Sequence, residues 1–148
     1  MDYFILAFNQ LNVKQLYEIY KLRSQVFIVE QNCAYQDVDE KDLLAMHILI
    51  YEKEILISYA RIIPPNISYL EPSIGRVVVN PDYRNKRHGF DLMNYCIKQS
   101  LCLYQNQTIV ISAQLYLLKF YNDLGFIQQG ESYLEDNIPH IKMLYTTI

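Results

Sequence analysis

Cysteine is scarce: the chain has three, an odd number, and no two form a Cys-x-x-Cys pair. A disulfide scaffold and a structural zinc site are therefore excluded, and the expected compartment is a reducing cytosol. No apolar run is long enough to span a bilayer, and the N-terminus lacks the basic-then-apolar pattern of a secretory leader. Net positive charge is missing too. The formal charge is −3, which excludes nucleic acid as the main partner, because phosphate recognition needs a broad basic surface. Neither a Gly-Lys-Ser/Thr phosphate loop nor the dinucleotide fingerprint Gly-x-Gly-x-x-Gly occurs. Internal repeats and low-complexity segments are absent as well. What is present is a half-apolar chain of 148 residues, expected to form one domain over its whole length. It has 14 tyrosines and no tryptophan, so amphipathic rings are expected in grooves as well as in the core, on a surface that permits a homodimer.

Against this acidic background one stretch stands out. Val77, Val78 and Val79 form a β-branched run that Pro81 ends, since proline cannot donate to a sheet ladder. A basic turn follows, made of Arg84, Asn85, Lys86, Arg87 and His88, with Gly89 as its only glycine. Phe90, Met93, Ile97, Leu101 and Tyr104 then recur at three- and four-residue steps, which predicts a helix from about 88 to 104. A strand, a cationic turn and a helix start aim backbone N–H groups and the positive helix end at an anion. The expected ligand bears phosphate.

The rest of the chain reads as alternating elements. A strand is predicted over 2–8, and a helix capped by Asn12 over roughly 13–28. A polar, acidic loop spans 31–42. Strands at 46–51 and 55–63 flank the Glu52, Lys53, Glu54 turn, and Pro64 and Pro65 break the chain. After the long helix come a strand at 108–112, a helix at 115–124 capped by Gly125, and strands near 126–133 and 139–146. This order implies an α/β sandwich with a mixed sheet. Cys96 and Cys102 read as core filler in the long helix, and Cys33 as a weak nucleophile candidate with no identifiable base.

Arg84-x-x-Arg87-x-Gly89 after a valine strand resembles the pyrophosphate loop of the GCN5-related N-acetyltransferases, Arg/Gln-x-x-Gly-x-Gly/Ala. Arg87 stands where that motif has its first glycine. Downstream, Leu117, Phe120, Tyr121 and Leu124 share one helix face, which turns Tyr121 inward. Phe120, Tyr121, Gly125 and Phe126 are similar to the family's Phe-Tyr-x-x-x-Gly-Phe segment. Leu22 to Cys33, Tyr35 to Asp39, and Tyr133 to Met143 resemble the ElaA-type subgroup. The resemblance implies a mixed sheet whose central parallel strands splay apart, with helices on both faces. It also implies acetyl-coenzyme A (acetyl-CoA) as cosubstrate, held by residues 77–79 and 84–90, including Phe90, and transfer of the acetyl group to an amine without a metal. Tyr121 would then protonate the departing thiolate.

An aliphatic amine has a pKa near 10.4, so roughly one molecule in a few thousand is neutral at pH 7, a deficit of about 4–5 kcal/mol. A base or a desolvating pocket is needed. Glu30 is ranked first and His140 second, with His47 a third candidate near the acceptor. Asp37, Asp39 and Asp42 form an acidic cluster expected to draw a cationic amine inward. Two alternatives stay open: a non-catalytic acyl-CoA binder, and an acyl-chain signal synthase.

Overall fold

The computed structural model describes residues 1–105 and 107–147. Seven strands form one mixed sheet in the order β1-β2-β3-β4-β5-β7-β6. Antiparallel pairing joins β1 (Asp2–Ala7), β2 (Met46–Glu52), β3 (Ile55–Ile63) and β4 (Ser73–Val79). It also joins β5 (Ile109–Gln114), β7 (Ile138–Tyr145) and β6 (Ile127–Glu135). At the centre β4 and β5 are parallel, and they share a single registered pair, Ser73 with Val110.

Strand periodicity explains the layers, because successive side chains point to opposite faces. Ile48, Ile50, Ala60 and Ile62 pack on one side with Leu92, Met93 and Ile97 of α3 (His88–Leu103) and Tyr121 of α4 (Leu118–Asp123). Leu49, Tyr51, Tyr59 and Val78 pack on the other with Ile19 and Leu22 of α1 (Val13–Arg23). Helices therefore cover both faces. Each fully buried Ile or Leu in these layers contributes about 1.5–3 kcal/mol. No helix among the described residues is long and apolar enough to cross a membrane.

Asn12 starts α1 with a reciprocal cap. Its side-chain oxygen accepts from the Gln15 N–H at 2.7 Å, and Gln15 Oε1 accepts from the Asn12 N–H at 2.9 Å. Helical structure continues beyond the expected end, through wider π turns over Ser24–Glu30. The Gln31 N–H reaches the Val26 carbonyl at 3.1 Å, a five-residue step. A short helix, α2 (Lys41–Leu44), begins in the last two residues of the segment expected to be loop. Gly125 ends α4 at φ 105°, with the Phe126 N–H bonded to the Tyr121 carbonyl at 3.0 Å. Cys96 is buried in α3, but Cys102 is exposed. The expectation that both fill the core is corrected: only Cys96 lies on the apolar stripe.

Candidate active site

The site begins with a flaw in β4. Tyr59 pairs with Val78 and Arg61 with Gly75, so Arg76 and Val77 together oppose Ala60. This is a β-bulge, and Arg76 adopts the left-handed conformation at φ 50°. Ion pairs hold it there: its Nε lies 2.8 Å from Asp37 Oδ1 and its Nη2 3.5 Å from Asp39 Oδ2. The bulge bends β4 away from β5, leaving residues 74–79 without a registered partner on that side. Their free ladder positions face a cavity of about 960 Å³, whose lining includes Val77, Val78 and Val79.

The cationic turn forms the cavity's far wall. Arg84, Asn85, Arg87, His88, Gly89 and Phe90 line it. Arg87 is the N-cap of α3, at φ 63° and ψ 13°. The arginine thus takes the left-handed shape for which the family motif uses glycine. Its guanidinium stacks 4.8 Å from the Phe90 ring centre. A side chain at Gly89 would meet Phe120 at 3.4 Å, so glycine keeps the helix start close to α4. Lys86 is exposed, with its Nζ 5.9 Å over the Tyr83 ring. Backbone N–H groups of a helix start, flanked by arginines, fit a diphosphate.

Tyr121 is buried, lines the same cavity and packs edge-on against Phe120 and Phe126. Burial raises its phenol pKa well above the usual value. A phenol so shifted keeps its proton at neutral pH and can hydrogen-bond to negative charge that develops beside it.

The base candidates separate sharply. Glu30 lines the cavity, but Arg84 grips both its oxygens, at 3.0 and 2.7 Å. That carboxylate is paired with the residue expected to meet the diphosphate, and it is free to act as a base only once Arg84 lets go. His47 lies outside the cavity lining. Its Nδ1 bonds the Tyr59 hydroxyl at 2.7 Å and its Nε2 the Asp42 carbonyl at 2.8 Å. Burial lowers its pKa. The structure corrects its placement near the acceptor: both ring nitrogens are spent on the core. His140 does line the cavity.

The acidic cluster is also corrected. Asp37 and Asp42 bind Arg23 at 2.9 and 2.7 Å, while Asp39 and Asp42 bind Arg61 at 2.6 and 2.8 Å. Burial opposes ionisation of Asp39 and Asp42, yet arginine hydrogen bonds and charges win and hold both pKa values below the usual carboxylate range. Three arginines neutralise three aspartates, so the loop is a clamp and no lure for amines. Cys33 is half-buried on the cavity wall, where its thiol donates to the Asp136 carbonyl at 3.2 Å and not to a base.

The sequence reading missed a polar cluster at the cavity mouth. Ser112 Oγ lies 2.5 Å from the Tyr133 hydroxyl and 3.0 Å from Glu135 Oε1. Glu135 Oε2 lies 3.4 Å from His140 Nε2. Asp136 and Asn137, at φ 49° and 64°, form the two-residue hairpin that sets Glu135 opposite Ile138 and Tyr133 opposite His140. The Asp-Asn pair between alternating strands was the available signal.

A bulged, splayed parallel pair beside a cationic helix start defines the acyltransferase fold of the GCN5-related class. The chain belongs to that family: the family model described as an acetyltransferase (GNAT) domain matches residues 13–147. Protein ElaA of Escherichia coli is 39% identical over 137 residues, covering 91% of this chain and 90% of that protein. A UPF0039 protein of Schizosaccharomyces pombe is 44% identical over 138 residues, with 92% and 91% covered. An acyl-CoA N-acyltransferase from Pseudomonas aeruginosa superposes with a TM-score of 0.92 at 34% identity, covering 99% of this chain and all of that one.

Proposed function

We propose that the protein is an acetyl-CoA-dependent N-acetyltransferase of the cytosol that acts on a primary amine. A bound thioester would supply an activated acyl carbon. Backbone N–H groups of residues 84–89 would hold its diphosphate, with Arg84 and Arg87 adding charge-assisted contacts. To reach the diphosphate, Arg84 must exchange its bonds to Glu30. Those N–H groups of residues 77–79 that point away from β3 would sit where negative charge develops on the acyl oxygen. Tyr121 Oη would hold the proton that the departing sulfur takes. Direct transfer needs no covalent enzyme intermediate, because the thioester is already activated.

The observation that carries this reading is the placement of Tyr121: a buried phenol on the wall of the cavity that the cationic turn closes. Thiol release from acetyl-CoA across a panel of amines tests it. Amine-dependent release that falls about 100-fold in Tyr121→Phe, with coenzyme A still bound, is the expected result. Saturable coenzyme A binding with no turnover would leave a binding protein instead, and preference for long acyl chains would favour a signal synthase.

A further inference from the structure

Resting on the acetyltransferase reading, we propose that Glu135 and His140 form the site that binds the acceptor's primary ammonium and takes its proton. Ser112 and Tyr133 position Glu135 for that role.

The tautomer of His140 is forced by its neighbour. Nδ1 lies 2.7 Å from the Ile138 carbonyl, which can only accept, so Nδ1 carries the proton. In the neutral ring Nε2 is then a lone pair, and it faces Glu135 Oε2 at 3.4 Å. Two acceptors this close need either a proton on Nε2 or a donor beside them. A primary ammonium has three N–H donors and a positive charge, and can satisfy both at once.

The direction of the hydroxyl chain supports the same assignment. Ser112 has one proton, and donating it to Glu135 Oε1 at 3.0 Å leaves its oxygen to accept from Tyr133. The chain therefore runs Tyr133 to Ser112 to Glu135 and engages Oε1, leaving Oε2 turned to the imidazole. His140 is buried while Glu135 stays partly exposed, so the pair spans from the cavity interior to its mouth. Ser112, Glu135 and His140 line the cavity that contains Tyr121. The titratable and charged groups near the pair are Tyr133, stacked on His140, Tyr69 of the connection between β3 and β4, Lys142 over the Tyr69 ring, Asp136 in the turn, and Cys33 on the Asp136 carbonyl.

The proton ledger closes. The ammonium gives one proton to the pair, and its nitrogen lone pair forms the C–N bond as the C–S bond breaks. The nitrogen sheds a second proton on becoming an amide; the thiolate gains one from Tyr121, and the equivalent of that second proton refills the tyrosinate. One proton in total leaves to solvent.

Steady-state kinetics of acetyl-CoA with an amine panel, run against pH, test the proposal alongside a binding experiment. Glu135→Gln is expected to lower kcat/KM for the amine about 100-fold or more and to abolish its acidic limb. His140→Gln should do likewise, and coenzyme A affinity should stay within about twofold for both. Ser112→Ala should lose about tenfold and flatten the same limb, with Ser112→Thr restoring it. Separately, with coenzyme A bound and no acyl group present, n-butylammonium should shift the His140 imidazole nitrogen resonances in the wild type but not in Glu135→Gln. Wild-type turnover that Glu135→Gln and His140→Gln leave intact, acidic limb included, would overturn the pair while sparing the acetyltransferase reading. A resonance shift without any turnover would support the ammonium site and sink that reading. Neither turnover nor shift overturns both.

Discussion

Position 87 offers a test that separates backbone strain from charge. Arg87 sits at φ 63° and ψ 13°, a conformation that costs a residue with a Cβ about 1–2 kcal/mol. Arg87→Gly and Arg87→Ala both delete the guanidinium and its stacking on Phe90, so they differ only in that backbone cost and in the freedom of the unfolded chain. Glycine's extra unfolded-state entropy returns about 0.4–1 kcal/mol of the advantage. The glycine variant should therefore be roughly 1 kcal/mol more stable than the alanine variant, or about 2–4 °C in Tm. Thermal melts without ligand measure this directly. Calorimetry with coenzyme A should show both variants weakened alike, by about fivefold, for the loss of one exposed charge near 1 kcal/mol. An alanine variant that melts at or above the glycine variant would refute the strain argument. Unequal losses of affinity would refute the claim that the guanidinium acts separately from the main chain.

Asp42 bridges two buried arginines, so Asp42→Ala should cost about 3–5 kcal/mol by leaving Arg23 and Arg61 short of a partner, read as a drop in the denaturant midpoint. Stability should fall on acidification. The pKa values of Asp39 and Asp42 are lower folded than unfolded, so their contribution is present above about pH 4 and is lost as pH falls through the folded values. His47 is depressed as well, so some loss should begin near its unfolded value of about 6.5; a melting temperature flat from pH 7 to 3 would contradict both. Glu30→Gln should tighten coenzyme A by no more than about fivefold, because it frees Arg84 from an exposed pair worth roughly 0–1 kcal/mol. A large loss of turnover with unchanged coenzyme A affinity would return Glu30 to the role of base.

Local pattern made much of the architecture readable. The valine run, the basic turn and the Phe90-to-Leu101 stripe placed β4, the cationic wall and α3, because each depends on residues close in the chain. The reading failed where partners are distant. Nothing near Asp37, Asp39 or Asp42 announces Arg23, Arg61 and Arg76, which reach them from 14 to 39 positions away. Likewise His47 looks available until Tyr59 and the Asp42 carbonyl close on its two nitrogens. Glu135 was missed for a smaller reason: ending β6 two residues early put it in a loop, when one further pair of registers sets it beside His140.

The lone rung between Ser73 and Val110 makes the sheet two plates hinged along a seam. A molecule lying in that seam would stitch the plates together, and at a hundred times its dissociation constant would add about 2.7 kcal/mol to the folded state. Survival of a weakened variant inside a cell would then track the supply of thioester, so that protein abundance itself becomes a gauge of metabolic state.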